Sequence, residues 1–263
     1  MTPREFSIEV VEKLQNAGFE AFWAGGCVRD QVLGIEPQDY DVATNATPNQ
    51  IRDTFGKNKT LAIGAAFGVI TVLGPKPAGQ VEVATFRKDG GYSDGRRPDS
   101  VEFTDAKEDA LRRDFTINGM FFNPSTNQLI DFVNGKEDLG KRLIRAIGIP
   151  EDRIQEDKLR MLRAVRFAAT YEFKIEPETI RAIQSNATEL TVVSGERIGT
   201  EMRRMLSHAN RGTAVSLLQE TRLIEKVIPN AASLFPNQKT WDDLLSQLRR
   251  LEGDFQSALA VLL

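Results

Sequence analysis

Residues 24–48 read AGGCVRDQVLGIEPQDYDVATNATP, and the folding of this stretch decides the front of the chain. "FEAFWAGG" (19–26) reads as a strand ending on glycines, and the segment around "YDVAT" (40–44) as a second strand in which Asp39 and Asp41 flank a tyrosine. Residues two apart on a strand face the same side, so both carboxylates are aimed at one place. Like charges held together are costly unless something positive lies between them, and hard divalent cations prefer such oxygen ligands. A lone D-x-D is better read as two solvated aspartates at a strand end. The preceding residues shift that balance. Gly25 and Gly26 let a backbone approach a ligand closely, the helix-like CVRDQVLG offers N–H groups to a phosphate, and Arg29 adds a guanidinium for the same anion.

Outward from this stretch, strand and helix signals alternate. Thr2-Pro3-Arg4-Glu5 and Thr47-Pro48-Asn49-Gln50 are capping boxes with proline at the first helical position, and Gly18 and Gly56 close those helices. "FGVITVLG" (67–74) and "VEVATFR" (81–87) read as strands, "RKDGGYSDGRRPDS" (87–100) as a polar loop, and "GMFFNPSTNQLIDFV" (119–133) as a hairpin. The second of these strands carries Glu82. With Asp39 and Asp41 it would complete a carboxylate set for in-line attack of a hydroxyl on the α-phosphate of a nucleoside triphosphate.

Beyond residue 140 the strand signals stop. "RIQEDKLRMLRAVRFAATY" (153–171) puts Ile154, Leu159, Leu162, Val165 and Phe167 near one helical stripe, and helices continue to the end. From Lys141 to Arg166 eight Lys or Arg stand against four acids, which alone describes a solvated helix face. On one helix Asp157 and Arg160 would project from the same face, where a carboxylate accepts from the amino group of cytosine or adenine and a guanidinium donates to the adjacent ring nitrogen. An i,i+3 ion pair is the plainer reading of the same spacing. The fold class is therefore α+β, with a mixed α and β front part and an all-helical rear part that meet near residue 140.

Composition excludes several classes. The 263 residues are 41% hydrophobic and 27% charged with a net charge of −3, ordinary for a globular protein and without an overall pull toward nucleic acid. No apolar run approaches a membrane span, and a single cysteine, Cys27, fits a reducing compartment, so the cytoplasm is expected. The lone histidine, His208, has no acid or thiol cluster for a zinc site, and a helix-end role is expected for it. "GGYSDGRRP" (90–98) lacks the ending of a phosphate loop.

"GGCVRD…DYDVAT" resembles the signature of the class II tRNA nucleotidyltransferase and bacterial poly(A) polymerase family of the polymerase β superfamily. "RRDFTINGM" (112–120), "DFVNGKEDLGKRLIRAIG" (131–148), "EDKLRMLRAVRF" (156–167) and "GERIGTEMRRML" (195–206) are similar to its later motifs, in order. The likeness covers residue 20 to about 206, with Gly119 where the family usually has alanine, and it implies a small mixed-sheet head over 1–140, a helical neck over 141–206 and the start of a helical body over 207–263. It implies Mg2+ on Asp39 and Asp41, with Glu82 at the third acidic position, and triphosphate contacts from Gly25, Gly26 and Arg29. It further implies sugar and phosphate contacts from Arg113, Asp114 and Asn118, and a nucleotide pocket lined by Asp157, Arg160, Arg163 and Arg166. The implied activity is template-independent addition of C, C and A to tRNA from CTP and ATP; "AIGAAFGVITV" (62–72) and the "DGRRPDSVEF" loop (94–103) resemble the tRNA enzymes. Poly(A) synthesis, partial addition and non-catalytic RNA binding stay open as alternatives. The final segment, "WDDLLSQLRRLEGDFQSALAVLL" (241–263), reads as one helix with an apolar stripe and no stop signal, so a fragment, or a chain lacking a partner for that stripe, is expected.

Overall fold

The computed structural model describes residues 1–92, 98–228, 234, 237–252 and 254–262. The fold is α+β, and the chain divides into two compact units, Met1–Gly91 with Pro98–Gly140, and a second holding Lys141–Leu263. Residues 94–97 of the "DGRRPDSVEF" loop lie outside the described residues.

In the first unit, helix α1 (Pro3–Asn16) starts on a closed capping box: the Glu5 N–H donates to Thr2 Oγ1, and the Thr2 N–H to Glu5 Oε2. It buries Phe6, Val10, Val11 and Leu14, one stripe at helical spacing. Strand β1 (Ala21–Ala24), helix α2 (Gly26–Leu33), strand β2 (Asp41–Thr44) and helix α3 (Pro48–Phe55) follow. Then come β3 (Thr60–Leu61), β4 (Val69–Leu73), β5 (Gln80–Thr85), β6 (Arg87–Asp89), β7 (Val101–Phe103), α4 (Ala106–Leu111), β8 (Met120–Asn123), β9 (Gln128–Asp131) and α5 (Gly135–Gly140). Seven strands form one sheet in the order β3-β4-β5-β2-β1-β8-β9, in which β2 and β5 are parallel and the other pairs antiparallel. Trp23 is fully buried beside Tyr40 and Phe122 on one face. Phe22 meets Phe86 and Phe121 on the other. This aromatic core fixes the register of the strands that carry the acids.

Two expectations change here. The supposed loop at 87–100 begins and ends in a strand pair, Arg87–Asp89 against Val101–Phe103, because its charged residues pair with one another and with α4. Asp39 lies outside β2. The strand starts at Asp41 because its partner, Ala24, is the last residue of β1 before the chain turns away at Gly25.

The second unit holds β10 (Leu143–Ile144), α6 (Pro150–Glu156), α7 (Arg160–Tyr171), β11 (Lys174–Ile175), α8 (Pro177–Asn186), α9 (Gly195–Ser207), α10 (Arg211–Glu220), α11 (Ile224–Val227), α12 (Gln238–Arg250) and α13 (Phe255–Leu262). Strand pairing does not stop at 140, since β10 and β11 form a short parallel pair. The expected helix over 153–171 is broken at Asp157, which is extended (φ −148°, ψ 106°) and accepts the Leu159 N–H on its own carboxylate. That local bond competes with the helical one. The last segment is also two helices, with Asp254 capping the second through the Ser257 N–H. Its apolar stripe is not bare: Trp241, Leu244, Leu245 and Leu248 are buried where α12 packs on α10, and Ala258 and Leu262 where α13 packs on α9. Among the described residues no helix is long and apolar enough to cross a membrane.

Ile70 is fully buried in β4. Ile70→Ala should lower unfolding stability by about 2–5 kcal/mol, read from the urea midpoint. A loss near zero would mean that the sheet is not packed as described.

Candidate active site

The strand register lines up one row across the sheet. Thr71 of β4 stands opposite Glu82 of β5, Glu82 opposite Asp41, Asp41 opposite Ala24, and Ala24 opposite Phe121 of β8. Residues directly opposite share a face, so Asp41 and Glu82 are side by side on parallel strands, about 4.8 Å apart in the pairing direction. Val81 and Val83 point into the core, which leaves Glu82 outward. Asp39, two residues ahead of Asp41, is exposed.

Asp41 opens to solvent on one side, yet the atoms packed around its carboxyl push its pKa up to about 6. The charges of Glu82 and Asp39 add to the rise, and Arg113 opposes it. The structure thus brings the three sequence-predicted acids within reach of one another's charge. Among the described residues no group of three His, Cys, Asp or Glu side chains is placed to hold a metal ion; Asp41 and Glu82 stand side by side as a pair of oxygen donors. Excess negative charge on hard oxygen ligands is the chemistry that a divalent cation fits.

Beside the row lies an anion cradle. Gly25 has φ +71° and ψ −127°, a conformation that other residues resist, and turns the chain from β1 into α2 without any side-chain cap. No acidic residue sits in the first turn of α2, so its N-terminus is open to negative charge. Arg29 is buried and donates from Nη1 to Asn118 Oδ1 at 2.7 Å. The Asn118 amide donates to Asp114 Oδ1 at 3.1 Å, and the same oxygen accepts the Phe115 N–H. Arg113 lies over the Phe121 ring at 5.1 Å, and its Nη1 is 3.2 Å from where a Cβ on Gly25 would stand. Gly25, Gly26, Arg29, Arg113, Asp114 and Asn118 are therefore one assembly. Residues 131–138 brace it: Asp131 caps α5 through the Gly135 and Lys136 N–H groups, and Thr116 donates to Asp138 at 2.7 Å.

The second unit places its candidate residues differently from expectation. Asp157 and Arg160 do not share a helix face, since the chain breaks between them. Asp157 receives both guanidinium arms of Arg197, at 3.1 and 2.7 Å. Arg160 donates to the Arg153 carbonyl at 2.7 Å and pairs with Glu156. Arg163 and Arg166 both lie over Phe167, and Arg166 is held by the buried Glu201 at 2.5 Å. His208 caps the end of α9 and accepts the Asn210 N–H on Nδ1.

Sequence reasoning missed Asp109, Arg197 and Glu201, the partners that aim these groups. The signal for Asp109 was present, because an acid three and four residues ahead of two arginines reaches both on a helical turn. Arg197 and Glu201 are distant in sequence from their partners and left no such trace.

Residues 21–145 match the family described as "Poly A polymerase head domain", and residues 172–235 the one described as "Probable RNA and SrmB- binding site of polymerase A". The CCA-adding enzyme of Enterococcus faecalis is 38% identical over 274 residues, covering 98% of this chain and 66% of its own. That of Lactobacillus delbrueckii subsp. bulgaricus is 44% identical over 200 residues, covering 76% of this chain and 49% of its own. The chain thus spans about half to two thirds of the length of these curated relatives. The crystal structure of the Bacillus stearothermophilus CCA-adding enzyme in complex with CTP matches with a TM-score of 0.80 and 33% identity, over 96% of this chain and 58% of that one.

A carboxyl whose folded pKa is raised costs stability when ionised. The cost grows as pH climbs from the ordinary 3.8 through about 6. Asp41→Asn should therefore raise the melting temperature of the metal-free protein at neutral pH, with the advantage fading as pH falls through that window. A lower melting temperature for the variant at neutral pH would show that the Asp41 charge is not under strain.

Proposed function

The chain belongs to the CCA tRNA nucleotidyltransferase and bacterial poly(A) polymerase family, and from that premise we propose that it adds C, C and A to the 3′ end of tRNA without a template, using CTP and ATP. The observation that carries this reading is the row Asp41–Glu82 beside the Gly25–Arg29–Asn118–Arg113 cradle. In it, Asp39 and Asp41 hold Mg2+, and Glu82 supplies the third acid. When bound, the cation lowers the pKa of the attacking 3′-hydroxyl and neutralises charge on the departing pyrophosphate.

The chain's own residues do the rest. The open N-terminus of α2 receives phosphate oxygens, and Arg29 is kept in place by Asn118 so that its charge need not reorganise on binding. Arg113, over the Phe121 ring, faces the same anion. Base choice falls to Asp157 and Arg160, whose acceptor and donor suit the edges of cytosine and adenine and leave the carbonyls of uracil and guanine unmatched. Both are engaged with protein partners, so a base would take the place of Arg197 or Glu156. Arg163 and Arg166 complete that set. Residues 172–235 contribute to holding tRNA, which the match to an RNA-binding family supports. Because both matched families are described from poly(A) polymerases, ATP-only extension of generic RNA is the second reading.

Asp39→Ala and Asp41→Ala should each cut incorporation of labelled CTP and ATP into tRNA lacking its 3′ end by about a hundredfold or more while leaving circular dichroism unchanged. Retention of about a tenth of wild-type turnover at saturating magnesium would remove the metal assignment. Efficient extension of generic RNA with ATP alone would favour the second reading.

Arg160→Ala should raise UTP and GTP incorporation relative to CTP and ATP, more than it weakens triphosphate affinity. Unchanged selectivity in a four-nucleotide competition would place base choice elsewhere.

A further inference from the structure

Asp109 sits in α4 and is only 1% exposed. Burial alone would push its carboxyl up, but Arg113 and Arg112 outweigh that and hold it below its ordinary value. Its two oxygens divide the work. Oδ1 accepts from Arg112 Nε and Nη2 at 3.0 and 2.7 Å and from the Arg87 N–H at 3.2 Å. Oδ2 accepts from Arg113 Nε at 3.2 Å and from Nη2 at 2.8 Å.

That grip takes two of the three guanidinium nitrogens of Arg113. The third, Nη1, is left toward the glycine turn, 3.4 Å from the Asn118 carbonyl and 3.2 Å from the place of a Cβ on Gly25. The Phe121 ring lies against the guanidinium, 5.1 Å from its carbon, and the two bonds to the carboxylate hold its direction. An arginine side chain has many rotamers to lose, and one already immobilised does not lose them when ligand arrives. A second role for Asp109, tying α4 to β6 through Arg112 and Arg87, runs through the other oxygen.

We propose that Asp109 is a positioning residue for triphosphate recognition: its Oδ2 holds Arg113 so that Nη1 faces the phosphates at the glycine turn. This rests on the reading that Arg113 meets the triphosphate. The structural and positioning roles separate by ligand. A residue that only supports the fold weakens CTP and CMP alike, whereas one that aims Arg113 weakens only the ligand that carries the β- and γ-phosphates.

The test is a double-mutant cycle on the whole chain, with CTP and CMP titrated in magnesium against Asp109→Asn, Arg113→Ala and the pair, and with Asp109→Glu alongside. Asp109→Asn should lower the preference for CTP over CMP by roughly tenfold, leave CMP affinity in place, and add nothing to Arg113→Ala. Asp109→Glu keeps the charge but shifts the carboxylate by a methylene, and should fall between. If circular dichroism shows the asparagine variant unfolded, the glutamate variant decides, and a wild-type CTP preference there would overturn the proposal. Equal losses for CTP and CMP, or additive effects in the double variant, would overturn it as well. An unchanged preference in Arg113→Ala would instead overturn the triphosphate role of Arg113, and the role of Asp109 with it.

Discussion

Everything at the front of this chain is arranged around two like charges at the same level of neighbouring parallel strands, Asp41 and Glu82. At contact distance such a pair repels by about 1 kcal/mol in open water and about 4 kcal/mol near a protein surface. A domain's whole stability is of order 5–15 kcal/mol, so the arrangement is a measurable defect in the empty fold. At Asp41 burial is the largest cause of the raised pKa, the charges of Glu82 and Asp39 add to it, and Arg113 opposes them. The register that creates the defect is set by aromatic packing on both faces of the sheet, at Trp23, Tyr40 and Phe122 and at Phe22, Phe86 and Phe121. The core therefore specifies the site, and the site draws on the core's stability for its charge.

A second device recurs: acids aim arginines. Asp109 holds Arg112 and Arg113, and Glu201 holds Arg166. At Asp157 the roles are reversed, since Arg197 grips the acid from both arms. In each case a long side chain that would otherwise sample many rotamers is fixed before any ligand arrives, which moves an entropic cost from binding to folding. The glycine turn at Gly25 serves the same end, because the missing Cβ lets the Arg113 guanidinium lie close against the chain.

How much of this was legible in the sequence depends on the range of the interaction. Capping boxes at Thr2 and Thr47, the glycine stops and the β8–β9 hairpin are local events, and the structure forms them where the residues announce them. Asp41 and Glu82 could be named because each stands at the right place in its own strand; that they face each other depends on the parallel pairing of β2 with β5, which no local pattern encodes. The helix break at Asp157 was invisible for the same reason. Apolar spacing runs through it without a change of phase, and what stops the helix is a carboxylate that prefers the Leu159 N–H and a guanidinium forty residues away. The apolar stripe over 241–262 was read correctly as apolar and wrongly as uncovered, since its cover is α9 and α10, elements whose placement is tertiary.

The central claim is that the strained carboxylate row and the neighbouring cradle form one site, completed by a divalent cation and a triphosphate together. The direct measurement is the affinity for Mn2+, a paramagnetic stand-in for Mg2+, followed by electron paramagnetic resonance with and without CTP. The account predicts weak binding of Mn2+ alone, much tighter binding once CTP is present, and loss of that gain in Glu82→Gln. Mn2+ affinity that ignores CTP, or a gain that survives in Glu82→Gln, would contradict it.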